Sequence, residues 1–305
     1  MTAFPRKVRI VEVGPRDGLQ NQPRVVPTAA KAEFVRLLAA AGFGDIEVTS
    51  FVRTDRVPQL ADAEALLAEL GPGGRARYSA LVPNKKGLER AISSGIPRVA
   101  VLTAAWETFN RRNINMGIRE SIDQLGPIVR RARQDGMSVR GYVSTCWVCP
   151  YEGAVDPDAV VGIVGDLLAL GIDEISVGDT VGAATPRDVE ATVGRLLGRF
   201  PAERLAMHFH DTYGTAVANA YQALRMGLAT FDSSAGGLGG CPYAPGALGN
   251  VATEDLLYLF DRLGIETGVS LAKVRRASEH IARVLDRRLP SRVLATAAGR
   301  ETEDF

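Results

Sequence analysis

Residues 8–22 read VRIVEVGPRDGLQNQ, an apolar run ending in a turn that sets an arginine beside an aspartate. The run is nearly continuous in Val and Ile, the pattern of a strand buried on both faces of a parallel sheet. The turn after it separates the two large parallel folds. A doubly wound open sheet often leads its first strand into a glycine-rich phosphate fingerprint. Here the strand leads into Gly-Pro-Arg-Asp-Gly, which favours a barrel whose strand ends carry the chemistry.

Seven further β-rich runs lie at 45–51, 77–82, 98–103, 139–144, 174–179, 205–211 and 230–235. Helical periodicity fills the intervals, clearest at 28–42, 61–71, 118–136, 158–171 and 185–200. Several of these segments open on a Thr/Pro or Asp/Pro start signal, and Gly42, Gly95, Gly136, Gly171 and Gly227 stand where helices would end. Eight strand–helix units in 305 residues predict a (β/α)₈ TIM barrel over about 8–268. An additional C-terminal helix is expected over about 270–289, packed on the barrel's outside or end, with no linker to divide the chain into a second domain.

Thirty-six Lys and Arg against 35 Asp and Glu leave a formal charge of +1, which gives no electrostatic footprint for nucleic acid or an anionic membrane. The first ten residues are too short and polar for a signal peptide, and no apolar run reaches the roughly 18–20 residues that span a bilayer. Three cysteines are too few for a disulfide framework, so a cytoplasmic location is expected.

In a barrel, functional side chains lie at the C-terminal ends of strands. That rule selects Arg16 and Asp17 after the first strand, Glu47 on the second, Tyr142 on the fifth, Ser176 and Asp179 on the sixth, and His208, His210 and Asp211 on the seventh. His208 and His210 stand two apart on one strand and face the same way. Two imidazoles on the inward face of a barrel could be a hydrogen-bonded core pair, but metal ligation is the favoured reading. Barrel closure makes the eighth strand the neighbour of the first, bringing Asp17 near both histidines. Asn250, which closes the loop after the eighth strand, can supply an oxygen. One Asp, two His and one Asn leave two octahedral positions free and suit Mg²⁺ or Mn²⁺, then Co²⁺, better than a structural Zn²⁺. The Cys146-Trp-Val-Cys149 pair reads as two loop thiols without a joint role, since no second Cys pair exists.

The stretches VEVGPRDGLQNQ, IEVTSFV, NINMGIRES, EISVGDTVG, HFHDTYG and AGGLGGCPYAPGALGN together resemble the 3-hydroxy-3-methylglutaryl-CoA lyase family, from about residue 8 to 290. The resemblance implies cleavage of that acyl-CoA to acetyl-CoA and acetoacetate, as in leucine degradation. A divalent cation would be held by Asp17, His208, His210 and Asn250. It also implies a catalytic Arg16 and a catalytic Cys241 on a glycine-rich loop that folds over the substrate. Glu47, Asp179 and Tyr142 are expected at the same site, with Arg16, Gln20, Ser176 and Thr180 binding substrate. Asp17, Glu47 or Asp179 could take the hydroxyl proton, and Glu47 could instead pair with His210 and orient it. A homodimer is expected. Trp106 and Arg53 depart from the family pattern, where Ser is more usual. Both lie on loops at the catalytic end, which leaves open a sibling lyase acting on citramalyl-CoA or a longer 3-hydroxyglutaryl-CoA. The CoA phosphates could meet Lys85, Lys86 or one of many arginines.

Overall fold

A computed structural model describes residues 4–240 and 249–297. Eight parallel strands close on themselves: β1 (Arg9–Glu12), β2 (Asp45–Ser50), β3 (Arg77–Leu81), β4 (Arg98–Ala104), β5 (Ser138–Ser144), β6 (Glu174–Asp179), β7 (Leu205–Phe209) and β8 (Thr230–Ser233). The closing pair runs from Arg9 opposite Thr230 to Glu12 opposite Ser233, so β7, β8 and β1 are neighbours as the sequence predicts. Helices come after the strands, among them Thr28–Ala41, Ile118–Gln134, Pro157–Ala169 and Pro186–Leu197. The last two starts are capped by side chains. Thr185 and Asp188 form a reciprocal capping box, and Asp156 accepts the Asp158 N–H at 3.0 Å.

All five predicted cap glycines have positive φ. Gly42 shows why one of them must be glycine: at φ +105° a Cβ would lie 2.4 Å from the Gly268 carbonyl oxygen. No helix among the described residues is long and apolar enough to cross a membrane.

Three features differ from the sequence expectation. The Gly14–Gly18 turn is a single π-helical turn in which the Val13 carbonyl accepts from Arg16, Asp17 and Gly18 N–H at 2.8–3.2 Å. A small antiparallel hairpin, Val148–Cys149 with Gly153–Ala154, comes after β5. The C-terminal helix spans Leu271–Leu285 and stops earlier than expected, because Asp286 turns left-handed at φ 50°. Beyond it Leu289 and Pro290 cover Gly236 and Gly237, and a short helix Arg292–Ala297 ends the described chain. The longer helix lies on the barrel's outside, where Ser270 N–H donates to Ala41 O and His280 bonds Ala30 O.

At the N-terminal end of the barrel, buried Asp45 meets Arg9, Arg77 and Arg98. Burial pushes its carboxyl up, but Arg98, Arg9 and Arg77 outweigh burial and hold it below its ordinary value. A carboxylate depressed in the fold contributes stability that is present above its unfolded pKa of about 3.9 and is lost as pH falls below it. Asp45→Asn should therefore cost about 2–3 kcal/mol at neutral pH, less than a fully buried pair because the arginines are partly solvated. It should also flatten the acid limb of the stability curve, read from urea unfolding between pH 3 and 7. An unchanged acid limb would refute this.

Candidate active site

The residues after β1, β7 and β8 converge at one end of the barrel. The π-turn presents Arg16 and Asp17, and the end of β7 and the residue just after it present His208 and His210, whose ring centres are 5.2 Å apart. Asn250 pairs with His210 across an isolated antiparallel bridge. One ligand atom each from Asp17, His208 and His210 fall within 4.8 Å of one another, the one such cluster among the described residues. Asn250 donates to Asp17 Oδ2 at 2.8 Å and to Leu238 O at 3.0 Å. Its own Oδ1 is buried without a partner among the described residues. An orphaned carbonyl oxygen beside a carboxylate and two imidazoles is costly unless a cation uses it. The donor set therefore fits a divalent ion with a preference for O and N ligands.

His208 hydrogen-bonds through Nδ1 to Asp232 Oδ2 at 3.2 Å, which leaves the Nε2 lone pair for a metal. Burial pushes the Asp17 carboxyl up, but Arg16 and the two histidines hold it well below the usual range, so it stays ionised. Arg16 is buried, its Nε on Glu47 and its Nη1 2.5 Å from Asp17 Oδ1, with the guanidinium 5.3 Å from the centre of the Tyr142 ring. Burial lowers its basicity, yet Glu47 and Asp17 more than offset this and keep the cation fixed.

These groups open onto a cavity of about 960 Å³, lined by Arg16, Asp17, Gln20, Tyr142, Thr180, His208 and His210 among others. Gln20 Oε1 is buried there without a partner among the described residues, an acceptor free for a ligand hydroxyl or amide. Besides Arg16, the arginines on the cavity are Arg53, Arg56, Arg111 and Arg112; Lys85 and Lys86 do not line it. Trp106 does not line it either, and its indole N–H bonds Glu152, joining the loops after β4 and β5.

Three roles expected from the sequence need correction or relocation. Glu47 does not pair with His210; it accepts from Arg16 and from the Tyr142 hydroxyl (3.0 Å). Asp179 is buried and spends both oxygens on the N–H groups of Gly182, Ala183 and Ala184 at 3.0–3.2 Å, so it builds the loop after β6 and does not line the cavity. Ser176 also lies off the cavity, donating to Asp232 Oδ2 at 2.7 Å inside the barrel. Cys241 falls outside the described residues. Cys146 and Cys149 are buried free thiols, and the metal-type cluster includes neither.

Sequence reasoning missed Asp232 and Arg140. Arg140 donates to Asp232 Oδ1 at 2.7 Å, to Glu174 Oε1 at 2.8 Å and to the Tyr142 oxygen at 3.1 Å. Burial pushes Asp232 up, but Arg140 and His208 hold it down to about 2. The available signal was an acidic residue inside the eighth apolar run, a position that only a buried partner makes tolerable.

Comparison with known proteins places the chain in one family. The HMGL-like family model matches residues 7–281. Bovine mitochondrial hydroxymethylglutaryl-CoA lyase is 47% identical over 95% of this chain and 89% of its own length. A Pseudomonas aeruginosa 3-hydroxy-3-isohexenylglutaryl-CoA/hydroxy-methylglutaryl-CoA lyase is likewise 47% identical, over 95% of this chain and 96% of that protein. The crystal structure of hydroxymethylglutaryl-CoA lyase from P. aeruginosa superposes with a TM-score of 0.96 at 46% identity, covering 98% of this chain and 99% of that one. Sequence and fold thus agree over nearly the whole chain, with the metal-type cluster in place at the barrel mouth, and this protein belongs to the HMGL-like family, among its hydroxymethylglutaryl-CoA lyases.

Proposed function

We propose that the chain is a divalent-metal-dependent carbon–carbon lyase that cleaves 3-hydroxy-3-methylglutaryl-CoA into acetyl-CoA and acetoacetate. The observation that carries this reading is the meeting of Asp17, His208 and His210 within 4.8 Å beside the buried Arg16. In the reaction the 3-hydroxyl loses its proton, the C2–C3 bond breaks, and its electron pair passes to the thioester as an enolate. The enolate then takes a proton at C2.

Asp17, His208, His210 and Asn250 would hold the ion, which we take to be Mg²⁺ or Mn²⁺; when bound it acidifies and orients the substrate hydroxyl. Of the three carboxylates considered as base, only Asp17 faces the cavity. Arg16 places a fixed positive charge for the thioester oxygen as negative charge develops there. Gln20 and Thr180 line the cavity and can hold the acyl group. Cys241 is the proton donor we assign to the enolate. Arg53, Arg56, Arg111 and Arg112 supply forked donors for the CoA phosphates. The proposal includes a cytoplasmic homodimer, whose subunit number light scattering would test.

One observation supports a wider acyl range. Val52, Val57, Leu81, Leu102, Phe109 and Met116 give the cavity an apolar side that could take a 3-substituent longer than methyl. Acetyl-CoA release should be measured across 3-hydroxy-3-methylglutaryl-CoA, citramalyl-CoA and a longer-branched glutaryl-CoA. The methylglutaryl compound should turn over, and EDTA should abolish turnover until Mn²⁺ is restored. Inactivity toward that compound with activity on another would replace the first reading by the second.

A further inference from the structure

The barrel interior beneath the site holds a cation that touches both halves of the catalytic machinery. Arg140 on β5 is buried, and its guanidinium is shared among three acceptors. Nη2 donates to Asp232 Oδ1 at 2.7 Å, and the other oxygen of Asp232 holds His208 Nδ1 at 3.2 Å. Nη1 donates to the Tyr142 oxygen at 3.1 Å, which frees the Tyr142 proton for Glu47 Oε2 at 3.0 Å. Glu47 in turn grips Arg16 through Nε. Nε of Arg140 binds Glu174 at 2.8 Å, and Glu174 is otherwise held by Arg9 at the opposite end of the barrel.

From these contacts we propose that Arg140 is a positioning residue with two outputs. Through Asp232 it sets the ring orientation and tautomer of His208, and through Tyr142 and Glu47 it sets the guanidinium plane of Arg16. Two features carry this. The planar fork of an arginine can meet Asp232, Tyr142 and Glu174 at once, which a lysine ammonium on a flexible stem does not reproduce. Each acceptor is also itself bonded to a site residue or to the barrel floor, so a shift of Arg140 reaches both sides. Groups that hold a metal-binding histidine from behind commonly change metal affinity when altered. The assignment rests on the lyase reading for its kinetic arm, whereas its metal arm needs no substrate.

The test uses the full chain, with Mn²⁺ affinity measured by titration in the absence of substrate and kcat and KM measured separately. Arg140→Gln should weaken Mn²⁺ binding roughly 10–100-fold and lower kcat, with KM for the thioester little changed. Glu174→Gln removes the partner of Arg140 that leads away from the site, and it should leave Mn²⁺ affinity at the wild-type value. Arg140→Lys keeps the charge without the fork and should restore neither property fully.

Where Arg140→Gln folds poorly, two conservative changes read the branches one at a time. Asp232→Asn should weaken Mn²⁺ binding. Tyr142→Phe should lower kcat without moving Mn²⁺ affinity. Wild-type Mn²⁺ affinity in a folded Arg140→Gln overturns the proposal, as does wild-type affinity in Asp232→Asn, full recovery in Arg140→Lys or an equal metal defect in Glu174→Gln. Mn²⁺ binding by a wild-type protein that cleaves no acyl-CoA would instead overturn the lyase reading and leave the metal arm standing on its own titrations.

Discussion

Arg16→Gln should lower kcat roughly 10³-fold while KM for the thioester moves little, the upper range for removing one charge-stabilising donor from a water-poor site. The reason lies in how the guanidinium is held before substrate arrives. Glu47 takes its Nε, Asp17 takes its Nη1, and the Tyr142 ring lies 5.3 Å from its carbon. A cation fixed in this way needs no reorganisation when the thioester oxygen gains charge, so its contribution belongs to the transition state and appears in kcat.

The same substitution leaves Glu47 buried with only the Tyr142 hydroxyl, which should cost about 3–5 kcal/mol of stability. The double change Arg16→Gln/Glu47→Gln separates the two effects, because it should recover much of the stability and none of the turnover. Steady-state kinetics at saturating Mn²⁺ with parallel urea unfolding reads both. A large rise in KM at unchanged kcat would show that Arg16 binds the ground state and does not stabilise the developing charge.

How much of this was legible in the sequence differs between levels. The barrel was legible because strand and helix periodicities alternate cleanly and because Gly42, Gly136 and Gly171 mark helix ends with a backbone geometry few other residues adopt. The ligand cluster was legible from two signals together, the two-residue spacing of His208 and His210 and the closure of β8 on β1 that brings Asp17 beside them. The layer beneath was not. Arg140 and Asp232 interrupt apolar runs, and a single sequence does not say which distant charge pairs with which.

Asp179 illustrates the same limit. An aspartate at a strand end reads as a base, and only the backbone path of residues 182–184 reveals three N–H groups aimed at its carboxylate. Ser176 is selected by its place near a strand end and by the family resemblance, yet it lies off the cavity and is taken up by Asp232 inside the barrel. The hairpin after β5 escaped notice because its two-residue strands are too short to carry a period.

His208→Ala and Cys241→Ala should fail in opposite ways, and the contrast tests the division of labour directly. Removing His208 deletes a nitrogen from a cluster whose ligand atoms lie within 4.8 Å, and it leaves Asp232 with Arg140 and Ser176 but no imidazole. Mn²⁺ affinity should fall steeply, and kcat/KM should fall on the order of 10³-fold, the several kcal/mol a divalent ion contributes to charge stabilisation. Excess Mn²⁺ should return part of that loss by mass action.

Removing the Cys241 thiol takes away the proton we assign to the enolate and no metal ligand. Its kcat should fall roughly 10²–10⁴-fold, the range for losing a positioned acid, and excess Mn²⁺ should return none of it. Titration of Mn²⁺ into both variants, then acetyl-CoA release at low and saturating metal, separates the two patterns. Metal loss in Cys241→Ala with metal retention in His208→Ala would reverse the roles, placing the thiol in the coordination shell and the imidazole in proton transfer.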